Sequence, residues 1–171
     1  KIILEPFANY NVLVLDQQFN KNSSVSFVNT NVMREGSFRD ANVSALLFDV
    51  TNKANKHKVE GGVGMSYLNE FDETTKGFFT DISIRKISGN WQYGLEHHLQ
   101  DDKFNKNDLG FQRRNNISKF ESYLSYQTFE PTEKFDSFNM SFWADIDYLY
   151  KPNTYTSNEV GVRYVFQTKN L

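Results

Sequence analysis

The stretch Phe138-Asn139-Met140-Ser141-Phe142-Trp143-Ala144-Asp145-Ile146-Asp147-Tyr148-Leu149-Tyr150 decides the fold class. Phe138, Met140, Phe142, Ala144, Ile146, Tyr148 and Tyr150 alternate with Asn139, Ser141, Trp143, Asp145, Asp147 and Leu149. A period of two puts these sets on opposite faces of a β-strand, one apolar and one mainly polar. Working outward, the same alternation recurs over Val59 to Tyr67, Phe78 to Ile84, Trp91 to Leu99 and Val160 to Phe166. Weaker strands are expected at 12–17, 24–34, 42–51 and 119–128, with a further candidate at 1–8. No stretch carries a comparable helical stripe, so the chain reads as nine or ten antiparallel strands joined by turns.

Strand length and composition say which all-β class this is. The clearest strands run to about 10 residues or more, where soluble strands cluster near 5–6. Crossing a bilayer at barrel tilt takes roughly 9–11 residues. Mean hydropathy is negative, yet the 171 residues hold 16 Phe, 9 Tyr and 2 Trp. A β-barrel reconciles the two, because only every second residue meets lipid. Transmembrane helices are excluded, since the longest evident apolar run is Val12-Leu13-Val14-Leu15 and a helical span needs about 18 residues.

The expected architecture is therefore an antiparallel up-and-down transmembrane β-barrel, or a segment of a larger one. Residues 1–171 are read as a single β-barrel domain; Lys1-Ile2-Ile3 opens without a leader pattern, as in a mature protein or an internal piece of a longer chain.

Side assignments follow from the alternation. Val63, Met65, Ile82, Leu95, Phe142, Ile146 and Val162 are expected to face lipid. Asp81, Arg85, Glu96, His98, Asp145, Asp147, Glu159 and Arg163 are the candidate lumen residues. Tyr67, Phe78, Trp91, Phe135, Phe138, Tyr148, Tyr150 and Tyr155 stand near strand ends, where amphipathic rings form interfacial girdles; aromatics also favour strands in general. Connections at 52–57, 88–90 and 129–134 are expected on one end, with 69–76, the long 101–118 and 151–157 on the other. The long loop mixes charges with Phe104, Leu109 and Phe111, and it is expected to pack into the barrel mouth or on a partner with Phe111 as the anchor.

Other chemistry is thin. A net charge of −2 without a basic block gives no case for nucleic acid. The absence of cysteine removes thiol chemistry and Cys-ligated zinc. His97 and His98 are adjacent on a strand and point to opposite faces, which prevents a shared metal. Asp145 and Asp147 share a face about 7 Å apart, a spacing open to acid–base work, with pairing to Arg163 or Arg85 as the plainer role. Asp102 to Asp108 offers oxygen donors but lacks the EF-hand pattern. No cofactor is expected.

Several segments resemble a known family. Phe27-Val28-Asn29-Thr30-Asn31-Val32, Arg34-Glu35-Gly36, Asp40-Ala41-Asn42-Val43 and Asn107-Asp108-Leu109-Gly110-Phe111 are similar to the C-terminal barrel region, a domain of unknown function, of Bacteroidetes carbohydrate-binding family 9 domain-containing outer-membrane proteins. The similarity runs from about residue 20 to residue 166, and Asn107 to Phe111 is its most specific part. It implies a Gram-negative outer membrane, with lipid, lipopolysaccharide and other outer-membrane proteins as partners. It implies no reaction, and the carbohydrate-binding domain of that family is not in this sequence. The leading functional expectation is a pore, transport component or scaffold rather than an enzyme. A soluble lipocalin-like barrel for an apolar ligand is the alternative, and a hydrolase using Asp145, Asp147 or His98 is the third reading.

Overall fold

Alternating apolar and polar residues build one nine-stranded antiparallel sheet in strict sequence order, seen in a computed structural model that describes residues 6–71 and 73–169. The strands are β1 (Ala8–Asn20), β2 (Ser23–Arg34), β3 (Asp40–Thr51), β4 (His57–Glu70), β5 (Glu73–Lys86), β6 (Trp91–Gln100), β7 (Ile117–Gln127), β8 (Phe135–Tyr148) and β9 (Tyr155–Thr168). Each pairs with the next, with register shifts only near Asn20, Ser137 and Tyr148. The sheet is open: β1 and β9 pair with β2 and β8 and are edges, so the described residues do not form the closed barrel that the sequence suggested. The candidate strand at 1–8 lies outside the described residues save for its last three, of which Ala8 opens β1.

Short connections finish the strands at one end. Lys21-Asn22 joins β1 to β2, and Gly89 takes φ +81° between β5 and β6, a left-handed geometry that costs glycine nothing. The connection expected at 69–76 is much shorter, because β4 continues to Glu70 and β5 resumes at Glu73. Thr74 and Thr75 are β-branched and extend the ladder opposite Asn69 and Leu68.

Cross-strand partners lie on the same side of the sheet, so the register sorts all nine strands into two faces. One carries Leu15, Phe27, Leu46, Val63, Leu99 and Tyr148 in one row, and Val50, Val59, Ile84, Leu95, Ala144 and Val160 in another. All seven expected lipid-facing residues belong to this apolar face. Its large side chains are open to their surroundings: Leu95 is 66% exposed, and Ile84, Val63, Val160 and Tyr164 each exceed half. The polar face is the sheltered one, with Gly62, Gly64, Ser66, Ser83 and Gly94 buried. The buried apolar side chains of the described residues are only Val32, Ala41, Leu68 and Phe104.

The apolar band does not run square to the strands. On β1 it consists of Leu13 and Leu15, and on β9 of Val160, Val162, Tyr164 and Phe166. Followed through the register, its centre drops by four cross-strand rows, or eight residues, over the eight steps from β1 to β9. Above the band on β1 to β3 sits a row of Asn11, Asn31 and Asn42. Asn42 donates to Asn31 and Asn29, and Asn29 donates to Ser44.

Rings gather along both borders of this face. Trp91, Tyr126, Phe138, Phe135 and Phe166 form a chain of contacts at the short-turn end. At the other end Phe78 meets Tyr150, Tyr148 meets Tyr155, and Lys76 Nζ stands 5.2 Å above the Tyr67 ring.

Candidate functional site: the polar face and its covering loop

The eight candidate lumen residues all fall on the polar face. Asp81 pairs across to His98, Arg85 to Gly94, Glu96 to Ser83 and Glu121, Asp145 to Glu121 and Glu159, Asp147 to Lys119, and Arg163 to Ser141. Register brings more acids into line than those eight alone. Asp49, Glu60, Ser83, Glu96, Glu121, Asp145 and Glu159 are successive direct partners in a single row from β3 to β9. Like charges directly opposite destabilise a sheet, so this row needs cations.

Basic side chains from the flanking rows supply them. Lys58 Nζ lies 2.7 Å from Asp49 and 2.6 Å from Glu60, and Arg85 also bonds Glu60. Lys119 Nζ reaches Glu121 at 2.6 Å and Asp145 at 3.2 Å. His98 Nδ1 pairs with Asp81. Ser157 donates to Asp147 at 3.1 Å and the Trp143 indole to Glu159 at 3.3 Å. Asp145 is thus held by Lys119, not by Arg163 or Arg85; Arg163 lies two rows away opposite Ser141, and Arg85 is turned to Glu60 on β4. Lys119 and Glu121 were not singled out from sequence. The signal was present, since Lys119, Glu121 and Tyr123 alternate with Phe120, Ser122 and Leu124, but the polar Ser122 blurs the apolar face.

His97 takes the other face, as adjacency in a strand requires. It stacks on Phe120 at 4.2 Å and meets Ser118 Oγ at 3.0 Å. No group of three or more His, Asp or Glu able to hold a metal ion exists among the described residues.

The loop 101–116 lies over the polar face at the end opposite the short turns. Asp101 accepts bonds from the backbone N–H groups of Lys103 (3.2 Å) and Phe104 (2.6 Å), an Asx-type turn that aims Phe104 at the sheet. Phe104 is 1% exposed and meets Phe79 edge-on at 5.1 Å. It fits because β5 carries Gly77 beneath it: a Cβ there would overlap the backbone of Lys103 and Phe104. The Asn105 N–H donates to the fully buried Ser66 hydroxyl at 3.1 Å. Leu109 then covers Val32 and Ala41, where the polar face turns apolar on β2 and β3. Asp108 closes the cover on Arg34 (2.7 Å) and Arg39 (3.0 Å).

The expected anchor Phe111 is 83% exposed. Within this sheet the anchoring ring is Phe104, because Phe104 follows Asp101 at the spacing of the turn and has a glycine under it. The loop also braces its neighbour, since Asn116 Nδ2 donates to Lys151 O and Lys151 N to Asn116 Oδ1, each at 2.8 Å.

The molecule is therefore an amphipathic antiparallel meander that shelters a charged face and displays an apolar one. The chain belongs to the family described as Domain of unknown function (DUF5916), whose model matches residues 1–171. No curated protein and no solved structure matches it. Two of the stretches that carried the resemblance, Arg34-Glu35-Gly36 and Asn107 to Phe111, meet through the Arg34–Asp108 ion pair.

Proposed function

We propose that this sheet is a wall of an outer-membrane β-barrel in a Gram-negative bacterium, with the apolar face on lipid and the charged face inward. The observation that carries the reading is the inverted distribution of burial. A soluble domain of this length offsets the conformational entropy of folding with an extensive apolar core. Here four apolar side chains are buried among the described residues while a continuous apolar face is left uncovered. Lipid is the cover that suits a band bordered on both sides by aromatic rings.

The slant of the band supports the same conclusion. One residue per strand, about 3.3 Å along the chain for each ~4.8 Å of strand spacing, sets the strands about 35° from the normal of the apolar slab. Transmembrane barrels tilt their strands by roughly 35–45°. The Asn11, Asn31 and Asn42 row then falls beyond the hydrocarbon, at headgroup level. The lipocalin-like alternative fits poorly, because the sheltered face carries the acidic row and its cations from β3 to β9. The resemblance to Bacteroidetes barrel regions points the same way.

The activity that fits is that of a pore, transport component or scaffold, since the carboxylates of the acidic row other than Glu96 are engaged in ion pairs and hydrogen bonds rather than set as an acid–base pair. Fractionation of native envelopes tests the location. The protein is expected with outer-membrane markers after carbonate washing, and recovery in the soluble periplasmic fraction would refute the proposal.

A further inference from the structure

Compensation along the acidic row is incomplete at one place. A cleft of ≈ 230 Å³ opens on the polar face over β5 to β8, lined by Ser83, Glu96, Glu121, Tyr123, Trp143 and Asp145. Lys119 is shared by Glu121 and Asp145, and Glu96 has no cationic partner among the described residues. The cleft therefore holds three carboxylates against one ammonium, and the Arg85 side chain that passes over Gly94 beside it is turned to Glu60. Ser83 is 5% exposed, yet its hydroxyl has no hydrogen-bond partner. Buried polar groups are almost always satisfied, so an unpartnered buried hydroxyl on a residue that lines a cleft marks a place for a ligand atom.

The aromatic side chains narrow the class of that ligand. Tyr123 lies over Gly94 and Trp143 over Gly161, each ring occupying the space that a Cβ would need. The rings lean apart, toward β6 and β9, and both line the cleft. Ring faces beside uncompensated carboxylates attract cations that also carry apolar surface. The carboxylates are strung along a row rather than gathered in the tight group that a metal ion requires.

We propose that this cleft binds an organic ammonium ion, an amine or quaternary ammonium compound, on the interior face of the barrel. Glu96, Glu121 and Asp145 supply the charge, Tyr123 and Trp143 the apolar contact, and Ser83 a hydrogen-bonding oxygen where the ligand has an N–H or O–H group. The proposal rests on the reading of this face as an interior, where the carboxylates are screened from bulk water.

The sequence has only two tryptophans, Trp91 and Trp143, so Trp91→Phe makes Trp143 a sole reporter. The full chain in detergent micelles is titrated with tetramethylammonium chloride against sodium chloride of equal ionic strength. A saturable change in Trp143 emission is expected, weakened at least tenfold in Glu96→Gln/Glu121→Gln and unaltered in Asp16→Asn, at a carboxylate on edge strand β1 outside the cleft. Ser83→Ala should weaken ethanolammonium binding several-fold and leave tetramethylammonium, which has no donor, unchanged. If the double variant fails to give a β-sheet circular dichroism spectrum, Glu96→Gln alone, which breaks no ion pair, serves in its place and must also weaken binding. Absence of saturation, an equal response to sodium or calcium, or indifference to Glu96→Gln would overturn the site. Fractionation of the same protein separates the two failures: a membrane protein without binding defeats the site alone, and a soluble one defeats the barrel reading.

Discussion

Val50, Leu95 and Val160 occupy one cross-strand row of the apolar face, on β3, β6 and β9. If the strands stood square to the membrane, the three residues would lie at one depth and an arginine would cost the same at each. The slanting band says otherwise. Leu95 is at its centre, while three strand spacings at about 35° of tilt displace Val50 and Val160 by about 8 Å in opposite directions. In an apolar belt about 25 Å tall that carries both toward the borders. Leu95→Arg should therefore cost roughly 2–4 kcal/mol, and Val50→Arg and Val160→Arg roughly 1 kcal/mol each. Refolding the full chain into phospholipid vesicles and titrating with denaturant measures the three costs. Equal penalties would refute the tilt, and negligible penalties at all three would refute lipid contact on this face.

The loop yields two paired expectations. Phe104→Ala should expose Arg113-Arg114 to rapid tryptic cleavage, while Phe111→Ala should leave the cleavage rate as it was, because only Phe104 is packed on the sheet. Gly77→Val should have the same effect as Phe104→Ala with the ring still present, by displacing the loop backbone above it. On the acidic row, Lys119→Met should destabilise the sheet by about 1 kcal/mol, since Glu121 and Asp145 then face each other uncompensated. Adding Glu121→Gln should recover most of that loss in the same denaturant titration.

Both faces of the sheet were legible in the chain because strand periodicity is local: the pattern from Phe138 to Tyr150 needs no partner to be read. The tips were harder. Around Thr74 to Lys76 both faces leave the apolar band, so alternation fades although hydrogen bonding to β4 continues. Which of the loop's rings packs on this sheet was not legible, since the placement of Phe104 depends on Gly77 and Ser66, distant in sequence and adjacent only through register. The ionic partners failed for a related reason. Asp145 could be assigned a face from its own strand, but finding Lys119 beside it required the alignment of β7 with β8.

The two free edges carry a constraint on counting. β1 and β9 are an even number of steps apart, so they run in the same direction. Brought together they would form a parallel contact, and a second copy related by rotation about the barrel axis would meet the first in the same way. A wall that is antiparallel throughout can be completed only by an odd number of strands inserted between these edges. Ten, twelve or fourteen strands satisfy that parity, and each added pair widens the circle without altering the nine already in place.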